Sequence, residues 1–136
     1  EMLALSAHRT PKEVEEFATS AKERGIKVII GAAGMAAHLC GVIASMTSIP
    51  VIGVPIKASL EGVDALYSMV QMPPGIPVAT VGINAAENAA LLAVQMMATS
   101  DEELYRRLEA YKESLKEKVV KANRELAEVK FEHKTN

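Results

Sequence analysis

An imidazole and a guanidinium stand side by side at His8 and Arg9, with the Ser6 hydroxyl two residues before the ring. Histidine ordinarily titrates near neutrality, so it can both take and give a proton at working pH. Arginine is a permanent, planar cation that fits the geometry of phosphate and carboxylate. The pair suits acid/base work on an anionic ligand. The alternative is that His8 merely ends a strand and Arg9 is solvated. No acid stands near to orient the ring, so Ser6 and His8 do not make a hydrolase triad. Of the other two histidines, His38 follows the small-residue stretch Gly31-Ala32-Ala33-Gly34-Met35-Ala36-Ala37. A histidine alone in that place is more often a hydrogen-bonded structural residue. His133 lies in the polar stretch Phe131-Glu132-His133-Lys134 and carries no functional weight. Cys40 falls in an apolar helix, where a thiol is usually inert packing. No grouping of His, Cys, Asp or Glu has metal-ligand spacing, so no metal is expected.

The elements around His8 and Arg9 give them their place. Residues 1–5 read as a strand. Thr10-Pro11-Lys12-Glu13 reads as a capping box with proline at the first helical position. His8 and Arg9 then lie just past a strand's carboxyl end and at a helix N-terminus. Ligands of open α/β sheets bind in that position, and helix N-termini favour anions. Apolar positions Val14, Phe17, Ala18 and Ala21 share one face of a helix over 12–24, which Gly25 ends. Strands follow at 27–31, 51–55 and 78–81, and apolar helices at 36–46, 61–71 and 89–97. Pro74-Gly75 suits the middle of a type II turn. Ser100-Asp101-Glu102-Glu103 reads as a second capping box, opening a long charged helix to about residue 130. Leu104, Leu108, Tyr111, Leu115, Val119, Ala122, Leu126 and Val129 form an apolar stripe along it, and such a stripe usually packs on a neighbour. Strands alternating with helices over short loops give a parallel sheet covered on both faces, in a single domain over 1–136.

Composition narrows the partners. The formal charge is −2, with no Trp, three Tyr and two Phe. That disfavours nucleic acid, which calls for basic patches and stacking platforms. No stretch approaches the ~18 apolar residues of a membrane span. Cys40 is the single cysteine, which excludes an intrachain disulfide and fits a reducing cytosol.

Five blocks in order resemble the PurE family of purine biosynthesis. They are Ser6-Ala7-His8-Arg9-Thr10-Pro11, Ala33-Gly34-Met35-Ala36-Ala37-His38-Leu39, Pro50-Val51-Ile52-Gly53-Val54-Pro55, Gln71-Met72-Pro73-Pro74-Gly75-Ile76-Pro77-Val78-Ala79-Thr80-Val81 and Asn88-Ala89-Ala90-Leu91-Leu92-Ala93. The His-Arg-Thr form with Ala-Ala-His-Leu is similar to the class I members, the N5-carboxyaminoimidazole ribonucleotide mutases. The class that uses aminoimidazole ribonucleotide and CO2 directly typically has Lys where Arg9 stands. That reaction is the alternative, and a non-catalytic nucleotide-binding relic is the rival of another kind.

The resemblance implies a three-layer, flavodoxin-like α/β/α fold, a cytoplasmic homo-octamer built partly by a helix over 101–130, and no cofactor. It implies transfer of a carboxyl group from N5 to ring C4 of a ribonucleotide, through CO2 held in a closed pocket. By position, His8 is the acid/base residue and Arg9 holds the phosphate. Ser6 and Ala7 line the imidazole pocket, Ala33 and Gly34 offer backbone near the carboxylate, and His38 and Leu39 close that loop. Two departures are Cys40, where the family more often has proline, and Met35, where glycine is frequent. The family also opens with a strand, a Gly-Ser-x-Ser-Asp loop and a helix that do not occur in these residues. The expectation is that this unit belongs to the protein and that, without it, the sheet has a gap.

Overall fold

The computed structural model describes residues 1–130. His133 lies outside the described residues. Three parallel strands form the sheet: β1 (Ile29–Gly34), β2 (Val51–Ile56) and β3 (Ala79–Thr80), in the order β1-β2-β3. β1 and β2 run in register from Ile29 opposite Val51 to Gly34 opposite Ile56. Their carboxyl ends therefore finish level, which sets the loops after them side by side. The helices are α1 (Pro11–Ser20), α2 (Leu39–Met46), α3 (Val63–Val70), α4 (Ala86–Ala98) and α5 (Glu102–Glu128).

The core explains the layering. Side chains alternate across a strand, and every residue from Val51 to Pro55 is buried. Val51 joins Val14 and Ala18 of α1, Cys40 and Ile43 of α2, and Ala65 and Met69 of α3 in one cluster. Ile52 and Val54 face the other way and join Ala89 and Ala93 of α4. This is the expected parallel α/β/α sandwich. The α4 face of β1 is less covered, and Ile30 there is 45% exposed.

Several boundaries differ from the sequence reading. Residues 1–5 form no strand. A strand exists only through ladder bonds to a neighbour, and β1 pairs with β2 alone. A cavity of about 520 Å3 is lined by residues 1–5 and by β1. Thr10 does not cap α1 with its side chain. Its hydroxyl turns back instead, accepting from the Ser6 N–H at 2.9 Å and donating to the Ser6 carbonyl at 3.1 Å. β1 runs on through Gly34 because small residues there can stay in the ladder. The third helix is preceded by a 3-10 turn, Leu60–Gly62, with left-handed backbone at all three residues. Gly75, at φ +93°, and the Ile76 N–H on the Pro73 carbonyl at 3.3 Å make the expected turn. Asp101, not Ser100, caps α5 by accepting from the Leu104 N–H at 2.9 Å. A carboxylate there also complements the helix dipole. The chain from Ala98 onward forms a unit of its own. Leu115, Val119 and Leu126 along α5, and Val129 just after it, are exposed.

Cys40 is packing, as its setting in the sequence suggests. Its Sγ donates to the Gly31 carbonyl at 3.2 Å. Gly31 leaves the room, since a Cβ there would stand 2.6 Å from that sulfur. Burial pushes the thiol up to about 11, whereas an unfolded thiol titrates near ~8.5. Below that value both states keep the proton, and the full stability is present. As the pH rises toward 11 the unfolded chain loses a proton that the folded chain keeps, so stability falls across that window. Thermal unfolding between pH 8 and 11 should show this extra loss in the wild type and not in Cys40→Ala.

Candidate active site

The loop between residues 5 and 11 is folded tightly on itself. The Thr10 N–H donates to the Ser6 carbonyl at 2.9 Å, and the Thr10 carbonyl accepts the first helical bond, from Val14, at 3.1 Å. With the two Thr10 hydroxyl bonds, Ser6 is tied to Thr10 three times. The intervening residues have little freedom, so His8 and Arg9 are thrown outward, where both are exposed. The Ser6 hydroxyl oxygen accepts from the Arg9 N–H at 3.2 Å and from Arg9 Nε at 3.5 Å. That leaves both terminal guanidinium nitrogens for a ligand, and no carboxylate pairs with Arg9 among the described residues.

The second wall comes from the end of β1. Gly34 is there because β1 and β2 converge. A Cβ on it would lie 2.9 Å from the Ala58 Cβ and 3.1 Å from the Ile56 carbonyl oxygen. The chain then turns through Met35, at φ +56°, and the His38 N–H donates to the Ala36 carbonyl at 2.8 Å. His38 sits at the N-cap position of α2, not inside its first turn.

The two histidines meet across 30 residues of sequence. His8 Nε2 and His38 Nδ1 are 2.9 Å apart, with the rings edge to face at 5.0 Å between centroids. One nitrogen must donate and the other accept, so each ring fixes the tautomer of the other. A proton bound on one of these nitrogens excludes one from the other while the contact lasts.

One cavity of about 430 Å3 is lined by all eight predicted residues: Ser6, Ala7, His8, Arg9, Ala33, Gly34, His38 and Leu39. Leu5, Ala32, Met35 and Ala36 complete the wall. A larger cavity, about 740 Å3, opens at the amino ends of β2 and β3. No charged or titratable side chain lines it, so size does not mark the chemistry. The smaller cavity holds a proton carrier, a cation and exposed backbone around a ligand-sized space. That set can bind an anionic ligand and move a proton on it. Sequence reasoning placed His38 in the first turn of a helix over 36–46 and gave no sign of its contact with His8. Nothing in a linear pattern reports a pairing between two separate loops. The left-handed backbone at Met35 does leave a trace, since a position flanked by small residues in a strand–helix turn is one where glycine fits best.

Comparison with known proteins points the same way. A family model described as AIR carboxylase matches residues 1–118. The chain is 58% identical over 117 residues, 85% of its length and 67% of the relative's, to the N5-carboxyaminoimidazole ribonucleotide mutase of Pyrococcus abyssi. It is 48% identical over 137 aligned residues, 100% of its length and 80% of the relative's, to the enzyme of that name from Thermotoga maritima. The crystal structure of Treponema denticola PurE superposes with a TM-score of 0.77 at 31% identity, covering 89% of this chain and 76% of that one.

Proposed function

The chain belongs to the AIR carboxylase family, and from that membership we propose that it is an N5-carboxyaminoimidazole ribonucleotide mutase of purine biosynthesis. The observation that carries the reading is the single cavity that gathers His8, Arg9 and the Ala33–Gly34 backbone. The substrate has a carboxyl group on an exocyclic nitrogen, and the product has it on ring C4. The N5–C bond breaks, CO2 is released inside the cavity, and the electron pair left on nitrogen takes a proton. Ring C4 then attacks the same CO2, a C–C bond forms, and C4 loses its hydrogen as a proton. Nothing is oxidised or reduced, and the net change is an isomerisation. No metal, ATP or organic cofactor has a step to perform.

Each residue has a part in this. His8 takes the C4 proton and returns one to nitrogen. Arg9 holds the phosphate through its terminal nitrogens. Ser6 braces Arg9 and, with Ala7, borders the imidazole ring. Ala33 and Gly34 present backbone to the carboxylate, and His38 and Leu39 close the loop. CO2 is small and must not escape before recapture, which favours tight walls of small residues over a wide cleft.

The protein works as a homo-octamer in the cytoplasm, with the helix over 101–130 making subunit contacts. The exposed apolar residues of α5 support this, as does a second exposed stripe of Val63, Tyr67 and Val70 on α3. The lone buried cysteine suits a reducing compartment.

The substrates decide between the mutase and direct carboxylation. Supplied with N5-carboxyaminoimidazole ribonucleotide and no added bicarbonate, the protein should form the C4-carboxylated product. Supplied with aminoimidazole ribonucleotide and bicarbonate, it should be far slower. Faster turnover of the second pair would make it the direct carboxylase. Tight binding of the ribonucleotide with neither turnover would make it a binding module.

A further inference from the structure

Met35 is the residue of the cavity wall that the fold itself does not account for. Its φ of +56° is a left-handed conformation that disfavours any side chain and suits glycine. Its side chain is large and apolar, yet 57% exposed. It lines the same cavity as His8 and Arg9. A costly backbone that presents an apolar group to water gives the folded chain nothing.

The neighbours keep the turn from relaxing. Gly34 is wedged against Ala58 and the Ile56 carbonyl. Beyond Met35, the His38 N–H holds the Ala36 carbonyl at 2.8 Å. The backbone is fixed on both sides, so the thioether stays at the cavity wall. Residues held in sparsely populated backbone regions by their surroundings cluster at ligand-binding sites.

We propose that Met35 is a ligand-positioning residue whose thioether packs on the face of a planar heteroaromatic ring while Arg9 holds the ligand's anionic group. The proposal rests on the ribonucleotide reading and names the contact that recognises the ring. Sulfur makes favourable contacts with aromatic rings, and an unbranched side chain adapts to a face that moves during reaction. The Ala7 and Ala33 side chains are too short to cover such a ring. With Met35 over one face, water is also kept from the carbon that must capture CO2.

Met35→Gly removes the side chain and relieves the backbone, so folding is not at risk. The probes are aminoimidazole ribonucleotide, which has the ring, and ribose 5-phosphate, which lacks it. Both are measured by calorimetry with the full chain, beside thermal unfolding and KM. Met35→Gly should melt no lower than the wild type and bind ribose 5-phosphate equally. It should bind aminoimidazole ribonucleotide about three- to tenfold more weakly, with KM raised in step. Met35→Leu should recover part of that loss. Unchanged affinity of Met35→Gly for the ring-bearing probe would overturn the proposal and leave the ribonucleotide reading standing, as would an equal loss for both probes. A wild type that binds neither probe would remove the ribonucleotide reading, and this inference with it.

Discussion

His8→Asn should abolish turnover while leaving the fold and the assembly as they are. His8 is exposed, so removing its ring opens no cavity in the core. Asparagine is shorter, so it gives up the exposed Nε2 contact with His38, and it cannot carry a proton near neutral pH. General acid/base groups contribute about 10²–10⁴-fold to rate, and here one group serves both halves of the reaction. The expected loss lies at the upper end of that range. The unfolding temperature and the light-scattering mass should match the wild type. His38→Ala is the companion variant. It removes a hydrogen bond between two exposed rings, a contact with a net value of about 1 kcal/mol. Its turnover should stay within about tenfold of the wild type. Near-normal turnover in His8→Asn would sink the assignment of His8. An equal collapse in both variants would give the proton chemistry to the pair.

The asymmetry between these two histidines also marks what could be seen in the sequence. His8 was visible because local chemistry fixed it: a proline that starts a helix, a threonine before it, and a cation beside the ring. Even there the detail differed, since Thr10 bonds back to Ser6 and does not cap α1. Both options use the same hydroxyl, and the choice depends on the path of residues 6–9, which no propensity encodes. β2 was visible because every residue from Val51 to Pro55 is buried and the run is uninterrupted. Residues 1–5 have the composition of a strand and form none, because pairing is a property of two segments. β3 shrank to two residues for a related reason, although the Val81 N–H still reaches the Gly53 carbonyl at 3.0 Å. The placing of α4 opposite α1, α2 and α3 follows from Ile52 and Val54 facing away from Val51, which alternation in β2 alone would suggest. The meeting of His8 with His38 required the whole sheet. The strand, the loop length and the wedge at Gly34 each move that contact, and none of them is adjacent to His8 in sequence.

Arg9→Gln should raise KM by about 10–100-fold and change kcat by much less, the size expected for losing a charge-assisted pair of hydrogen bonds. The reason is where the guanidinium sits. Ser6 engages the backbone N–H and Nε, so the planar fork is aimed before the ligand arrives. A phosphate bound there takes no part in the bonds that break and form. Its binding energy is then shared by ground and transition states, which shows in KM. Arg9→Lys keeps the charge but not the fork, and it should fall between the two. Ionic strength separates this account from a merely structural role. An exposed cation–phosphate attraction is screened by salt, so the wild-type KM should climb from 0.01 M to 0.5 M salt, on the order of the change in Debye length from ~30 Å to a few Å. Arg9→Gln should lose most of that dependence. Ser6→Ala should move KM in the same direction by a smaller factor, because the fork would still be charged but no longer braced. A variant lacking Arg9 that keeps both its KM and its salt dependence would place the phosphate elsewhere, and the anionic end of the ligand would then have to be sought at another edge of the same cavity.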